Sequence, residues 1–220
     1  MEKINASTLE FLNLLKHNNN KEWFDKNRSM YVAAKANFES FVQNLIHEII
    51  DFEPLLKGLE AKNCIFRINR DIRFSNDKSP YKTNMGAFIV RGGKQNGDKY
   101  TGFYFHIEPG KSMLAGGAYM PPAQWLTAIR EKIDDDPEQL LDIINNPDFI
   151  KYFGQLEGEK LKKAPKGFTP DHKYLDLLKF KSYLAVHETT DKQVLDSKYL
   201  SHSLAVFKAM KPLNDFLNEY

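Results

Sequence analysis

Only one cysteine, Cys64, stands in 220 residues. A lone thiol excludes an internal disulfide and a multi-cysteine zinc site. It lies in the run Cys64-Ile65-Phe66, so a buried core thiol is expected rather than a nucleophile. Long apolar runs are missing as well. Ala87-Phe88-Ile89-Val90 is among the longest, far short of the ~20 residues of a membrane-spanning helix. The start, Met1-Glu2-Lys3-Ile4-Asn5, has no apolar segment, so no secretory signal is expected. Together these absences lead to the expectation of a soluble, cytoplasmic protein with no membrane partner. Walker A, Rossmann, G-x-S-x-G and H-E-x-x-H patterns are all absent. Gly92-Gly93 and Gly116-Gly117 read instead as turn or bulge glycines. No repeat, low-complexity tract or linker interrupts the chain, so one domain over residues 1–220 is expected.

What is present is enough for a sizeable core, at 42% hydrophobic residues. Net charge is only +2 but unevenly spread. Residues 57–99 hold ten Lys/Arg against four Asp/Glu, and residues 160–182 hold seven against two. Between them, residues 131–159 hold nine acids against two bases. Two basic stretches on one face would attract an anionic ligand; solvated helix surface is the plainer reading.

Helical spacing dominates the first fifty residues. Ser7 and Glu10 have the capping-box form ahead of Leu9, Leu12 and Leu15. Asn20 suits a cap for a second short helix with Trp23 and Phe24. A long helix over 28–50 carries the stripe Tyr31, Ala34, Phe38, Phe41, Leu45 and Ile49, and Pro54 and Gly58 end the helical region. The period then changes, and strands are expected over 64–68, 84–91, 100–108 and 112–120. In 100–108, Phe103, Phe105 and Ile107 take one face while Tyr104, His106 and Glu108 take the other. The loop 92–98 suits a hairpin and Pro109-Gly110 a tight turn, which makes the last three an antiparallel meander. Later, Pro122, Pro137, Pro147 and Pro170 sit near helix starts, with Asp136, Asn146 and Thr169 placed to cap. A late strand over 180–188 sets Phe180, Leu184 and Val186 on one face and Lys181 and His187 on the polar one, where they could complete a pocket. Ser197 opens a last helix along Leu200, Leu204 and Phe207, which Pro212 must kink or split. The expected class is α+β: a mostly antiparallel sheet, meander plus late strand, packed against N-terminal and C-terminal helices through Phe38, Phe41 and Leu45.

The segment Phe66 to Lys82 concentrates the chemistry. It holds five cations and two acids in seventeen residues, interleaved with Phe66, Ile68, Ile72 and Phe74. Charges tied to buried backbone need partners, and arginine offers a planar fork for carboxylate or phosphate. Ser75, Asn76, Asp77 and Pro80 suit a turn that can aim N–H groups and cations at an anion. Two readings stay open. In one, Arg67, Arg70, Arg73, Lys78 and Lys82 hold an anion while Tyr81 and Tyr104 line the pocket. In the other, Arg67 or Arg73 pairs with Asp71 or Asp77 only to hold the loop on the sheet. His106 beside Tyr104 suits a general base, with Asp71 and Asp77 as further proton-transfer candidates; a solvated strand face explains His106 equally well. Asp71 and Asp77 with Glu108 or His106 match no known ligand spacing, so no metal site is assigned. Lys163, Lys166 and His172 form a second basic loop.

Several of these stretches are familiar together: Asn20-Lys21-Glu22-Trp23-Phe24; Phe66-Arg67 through Arg70-Asp71-x-Arg73-Phe74-Ser75-x-Asp77-Lys78-x-Pro80-Tyr81-Lys82; Tyr104-x-His106-Ile107-Glu108-Pro109-Gly110; and Lys166-Gly167-Phe168. The chain resembles, over nearly its whole length, an uncharacterised family of bacterial conserved hypothetical proteins catalogued only as a domain of unknown function. The resemblance implies a single α+β domain and imports no activity or cofactor. Three functional readings follow. The first is binding, and conceivably turnover, of a small anionic, phosphate-bearing ligand. The second is a protein-interaction module with the charged segment as scaffold. The third is nucleic-acid binding, against which low net charge and the lack of a groove-reading motif both count.

Overall fold

The computed structural model describes residues 3–219. Its elements run α1 (Ala6–His17), α2 (Lys21–Lys26), α3 (Arg28–Ile49), α4 (Ala61–Cys64), β1 (Met85–Ile89), β2 (Phe103–Ile107), β3 (Ser112–Ala118), α5 (Ala123–Asp135), α6 (Pro137–Ile144), α7 (Pro147–Phe153), α8 (Leu175–Leu178), β4 (Tyr183–Thr189), α9 (Asp191–Val194) and α10 (Tyr199–Asn218). The class is α+β. The strands form one antiparallel sheet in the order β1-β2-β3-β4, the meander extended by the late strand.

Strand alternation sends Ala87, Ile89, Phe103, Phe105, Ile107, Leu114, Tyr183 and Ala185 to one side, where all are buried. Helices α3 and α10 cover that side. Phe105 lies between Phe38 and Phe41, with ring centroids 5.5 and 5.2 Å away, and Phe41 reaches Tyr199 of α10 at 5.9 Å. Burying a side chain of this size stabilises by roughly 1.5–3 kcal/mol. The core runs without a break from Ile4 to Leu217. A polar lock ties α10 to the sheet: the buried Asn214 amide donates to Gly102 O at 3.0 Å and accepts the Gly117 N–H at 2.9 Å.

Asn20 caps α2, accepting the Trp23 N–H at 2.9 Å, and Asn146 caps α7. Other local expectations give way to tertiary contacts. The first helix starts at Ala6, so Ser7 is inside it. The Asn5 N–H and the Thr8 hydroxyl both donate to Asn37 Oδ1 of α3 at 2.8 Å, and this long-range partner replaces the local capping box. Residues 64–68 are not a strand. Cys64 closes α4, and Ile65 and Asn69 make only isolated bridges to Ala87 and Tyr81. Cys64 and Ile68 are buried with Phe66 exposed between them, so side chains alternate, but Cys64 is held in α4 and the backbone pairing with β1 reduces to the Phe66 N–H bond to Gly86 O at 2.9 Å; Phe74, further on, is 96% exposed. Thr169-Pro170 lies in a turn before α8 and starts no helix. Pro212 neither splits nor ends α10, which has Met210, Leu213 and Phe216 buried on both sides of it. Gly116 and Gly117 are strand residues where chains approach closely: a Cβ on Gly116 would stand 2.3 Å from the Met210 sulfur.

Candidate functional site

Among the described residues, no α-helix lines the cleft on the outward side of the sheet. Its floor is Gly86, Phe88, Tyr104, Met113, Ala115, Leu184 and Val186, alternate residues of all four strands. Phe66, Arg70, Asp71, Lys82 and Asn84 form one wall, with Lys94 from the β1–β2 loop and Tyr119 after β3. The result is a cleft of about 840 Å³. A second cleft of about 540 Å³ lies beside it, and Phe66, Lys82, Asn84 and Lys94 line both.

Three polar residues follow one another at alternate positions of β2 and just past its end. The Tyr104 hydroxyl is 2.9 Å from His106 Nδ1, and His106 Nε2 is 3.4 Å from Glu108 Oε2. Thr83 donates to the other carboxylate oxygen at 3.0 Å. The Glu108 carboxylate only accepts, so Nε2 carries the proton, Nδ1 accepts, and the Tyr104 O–H donates. His106 is 7% exposed, so it is a buried link rather than a residue of a solvated face. Burial holds its pKa below the usual histidine value, against the upward pull of Glu108. Burial, then the Glu108 charge, pushes the Tyr104 hydroxyl up to about 12.

The cations of the arginine-rich segment divide into two groups. Arg70 turns inward, bonding the Asp77 carboxylate, Ser79 O at 3.1 Å and Ser75 Oγ at 3.3 Å. Asp77 also accepts the Ser79 N–H at 2.9 Å, and its pKa drops to about 2, through Ser79 first and then Arg70. Arg73 grips Asp71 with two bonds of 2.9 and 2.7 Å, and Lys78 donates to Ile72 O at 3.1 Å. Arg73, Lys78 and the exposed Phe74 stand at the loop tip, and none of them lines the cleft. Arg67 and Lys82 behave differently: neither side chain makes a hydrogen bond or ion pair among the described residues. Lys82 stands 5.4 Å from the Phe66 ring. Its pKa is lowered by burial and then by the Arg67 charge.

Tyr81 is not a cleft residue. It stacks on Phe24 at 4.0 Å, and Asn19 bonds both its N–H and its carbonyl, which anchors the loop base beside α2. Nor is the late strand's polar side part of the cleft. Lys181 is exposed and pairs with Glu159; His187 turns toward the helices, bonding Tyr152 O at 2.8 Å and His202 Nε2 at 3.0 Å. Leu184 and Val186 share the cleft side, while Phe180 precedes the strand and bridges to Lys160. The second basic stretch meets the acidic one: besides the Lys181 pair, His172 contacts Asp134 at 2.7 Å and Tyr174 donates to Glu138 at 3.0 Å. Among the described residues no group of three or more His, Cys, Asp or Glu is placed to hold a metal ion. No helix of the described residues is long and apolar enough to cross a membrane.

Sequence reasoning passed over Glu108 as the third member of the Tyr104–His106 chain. The alternation that set all three on one strand face was its signal. Lys94 carried no comparable signal, because only the path of the β1–β2 loop brings it to the cleft, whereas Asn84 and Gly86 fall on that face by the alternation of β1. Compared with known proteins, residues 7–216 match the family described as conserved hypothetical protein (DUF2461). No curated protein and no solved structure matches.

Proposed function

Since the chain belongs to the DUF2461 family of conserved hypothetical proteins, whose description names no activity, we propose from its own residues that the open cleft binds a small, phosphate-bearing anion. The observation that carries this is the Arg67–Lys82 pair. Every other cation of the segment is bonded within its own loop, whereas Lys82 lines both clefts and feels the charge of Arg67, which lines the second cleft alone. A bound anion would relieve that repulsion and favour the charged form of Lys82. Arginine and lysine together suit a phosphate, one as a fork and the other as a point charge. Phe66, Phe88, Tyr104 and Tyr119 offer apolar surface for the rest of the ligand. The ion pairs at the loop tip support a scaffold role for Arg70, Arg73, Asp71 and Asp77 within the same site.

The test is a thermal-shift series with inorganic phosphate and pyrophosphate at fixed ionic strength. A ligand that binds only the folded chain stabilises it by mass action, by about 2.7 kcal/mol at a hundred times its Kd. The wild type is expected to melt higher with phosphate. Lys82→Ala and Arg67→Ala should lose the shift, and Arg73→Ala and Lys78→Ala should keep it. A flat wild-type response would leave the protein-interaction reading, with Phe74 at the exposed loop tip as its contact. A salt-sensitive gel shift with oligonucleotides would favour nucleic acid instead.

A further inference from the structure

The polar chain beneath the cleft has more order than a fold requires. A buried histidine linked on both sides is costly to place where an apolar residue would pack. Here the links run in one direction, from a hydroxyl to an imidazole to a carboxylate, at 2.9 and 3.4 Å. The far end is fixed: Thr83 holds one Glu108 oxygen, and Ser112 Oγ bonds the Glu108 N–H at 3.1 Å. The near end is open. Tyr104 lines the cleft, whereas His106 and Glu108 do not, so a molecule in the cleft meets the chain only at the phenol. Gly86 of β1, opposite His106 in the register, keeps that phenol clear: a Cβ there would stand 2.9 Å from the Tyr104 oxygen.

We propose that Tyr104, His106 and Glu108 form a nucleophilic triad in which Tyr104 Oη attacks the phosphorus of a phosphate ester bound in the cleft. The proposal rests on the anion-site reading above, since Lys82, on the wall of the same cleft as Tyr104, would hold the phosphoryl oxygens, with the charge of Arg67 in the adjoining cleft. In the first step the Oη–P bond forms and the bond from phosphorus to the ester oxygen breaks. The phenol proton passes to His106 Nδ1, and a water of the open cleft protonates the departing alkoxide, leaving a tyrosyl phosphate, an alcohol and a hydroxide. That hydroxide attacks the phosphorus, the bond from phosphorus to Tyr104 Oη breaks, phosphate is released, and the proton held on His106 returns to Tyr104. Glu108 accepts the His106 Nε2 proton throughout and stabilises the imidazolium that forms. A neutral resting imidazole, kept so by burial, is the form that can take the proton.

The test uses a fluorophosphonate probe, on which Oη–P forms, P–F breaks and fluoride leaves while the proton moves to His106. Peptide mass spectrometry should find the adduct on Tyr104 ahead of Tyr119, which is 71% exposed and has no histidine partner. Tyr104→Phe should remove that adduct. His106→Asn should slow labelling by roughly a hundred-fold or more, and Glu108→Gln should slow it less. Circular dichroism checks that each variant is folded; if His106→Asn is not, Gly86→Ala serves instead, by displacing the phenol. Equal labelling of Tyr104 and Tyr119, or unchanged labelling in a folded His106→Asn variant, overturns the triad. Inorganic phosphate separates the two proposals. Labelling of Tyr104 that phosphate does not slow keeps the triad and removes the anion site. A phosphate-raised melting temperature with Tyr104 unlabelled does the reverse.

Discussion

On the helix side of the sheet, Phe105 sits between the rings of Phe38 and Phe41. One residue earlier, on the open side, Tyr104 ends in a hydroxyl bonded to His106. The two sides come from the same strands, because successive side chains point opposite ways. The helix side is filled by aromatic rings, and its stability derives from burial. The open side carries glycine, alanine and a buried polar chain, with cations along one wall. A sheet this small needs only one covered face to fold. The other can keep residues that pack poorly, and those are the residues suited to holding a ligand.

The largest expected effect breaks the comparison if it fails. Phe38→Ala, at a fully buried ring, should cost about 3–5 kcal/mol in denaturant melts. Phe88→Ala on the cleft floor should cost much less. Equal losses would mean that the open side is as much a core as the other.

Gly117 tests how tightly β3 and β4 meet between the two sides. Its φ is +107°, and a Cβ would stand 2.0 Å from Tyr183 O. Gly117→Ala should cost about 1–3 kcal/mol through backbone strain alone, read as a lower midpoint at unchanged slope in urea.

Within the loop, Arg70 and Arg73 should separate. Arg70 is partly buried and makes three kinds of contact, so Arg70→Ala should lower the melting temperature by roughly 2–4 °C, as about 1 kcal/mol does in a chain of this size. Arg73 and its partner Asp71 are both well exposed, so Arg73→Ala should melt with the wild type. A large loss at Arg73 would make the tip, rather than the base, the part that holds the loop.

The smallest effect is a pH dependence. His106 and His202 both have pKa values held below the usual value, chiefly by burial. Each therefore binds fewer protons when folded than when unfolded. Their contribution is complete above about pH 6.5 and falls away as pH drops below it toward the lowered folded values. His106→Asn should flatten the stability profile in that window; an unchanged slope would mean that the buried imidazole is already protonated.

Much of this architecture was legible without coordinates, for a physical reason. Helical and strand periods, turn glycines and caps such as Asn20 depend on neighbours a few residues apart. The stripe of α3, the meander and the common face of Tyr104, His106 and Glu108 were determined at that range. What only the tertiary structure decided is what each face and each charge meets. In place of the cap expected of Ser7, Asn37 binds the Asn5 N–H from 32 residues away. Asp134 claimed His172 from 38 residues away, which ties the second basic stretch to the acidic one. The helices closed over Phe105 and left Tyr104 open. In the arginine-rich segment Asp77 and Asp71 bonded Arg70 and Arg73 and left Arg67 and Lys82 without a hydrogen-bonded or ion-paired side chain among the described residues. Partners at such separations are chosen by how the chain closes in space, and a charge left without one shows only after every other pairing is in place.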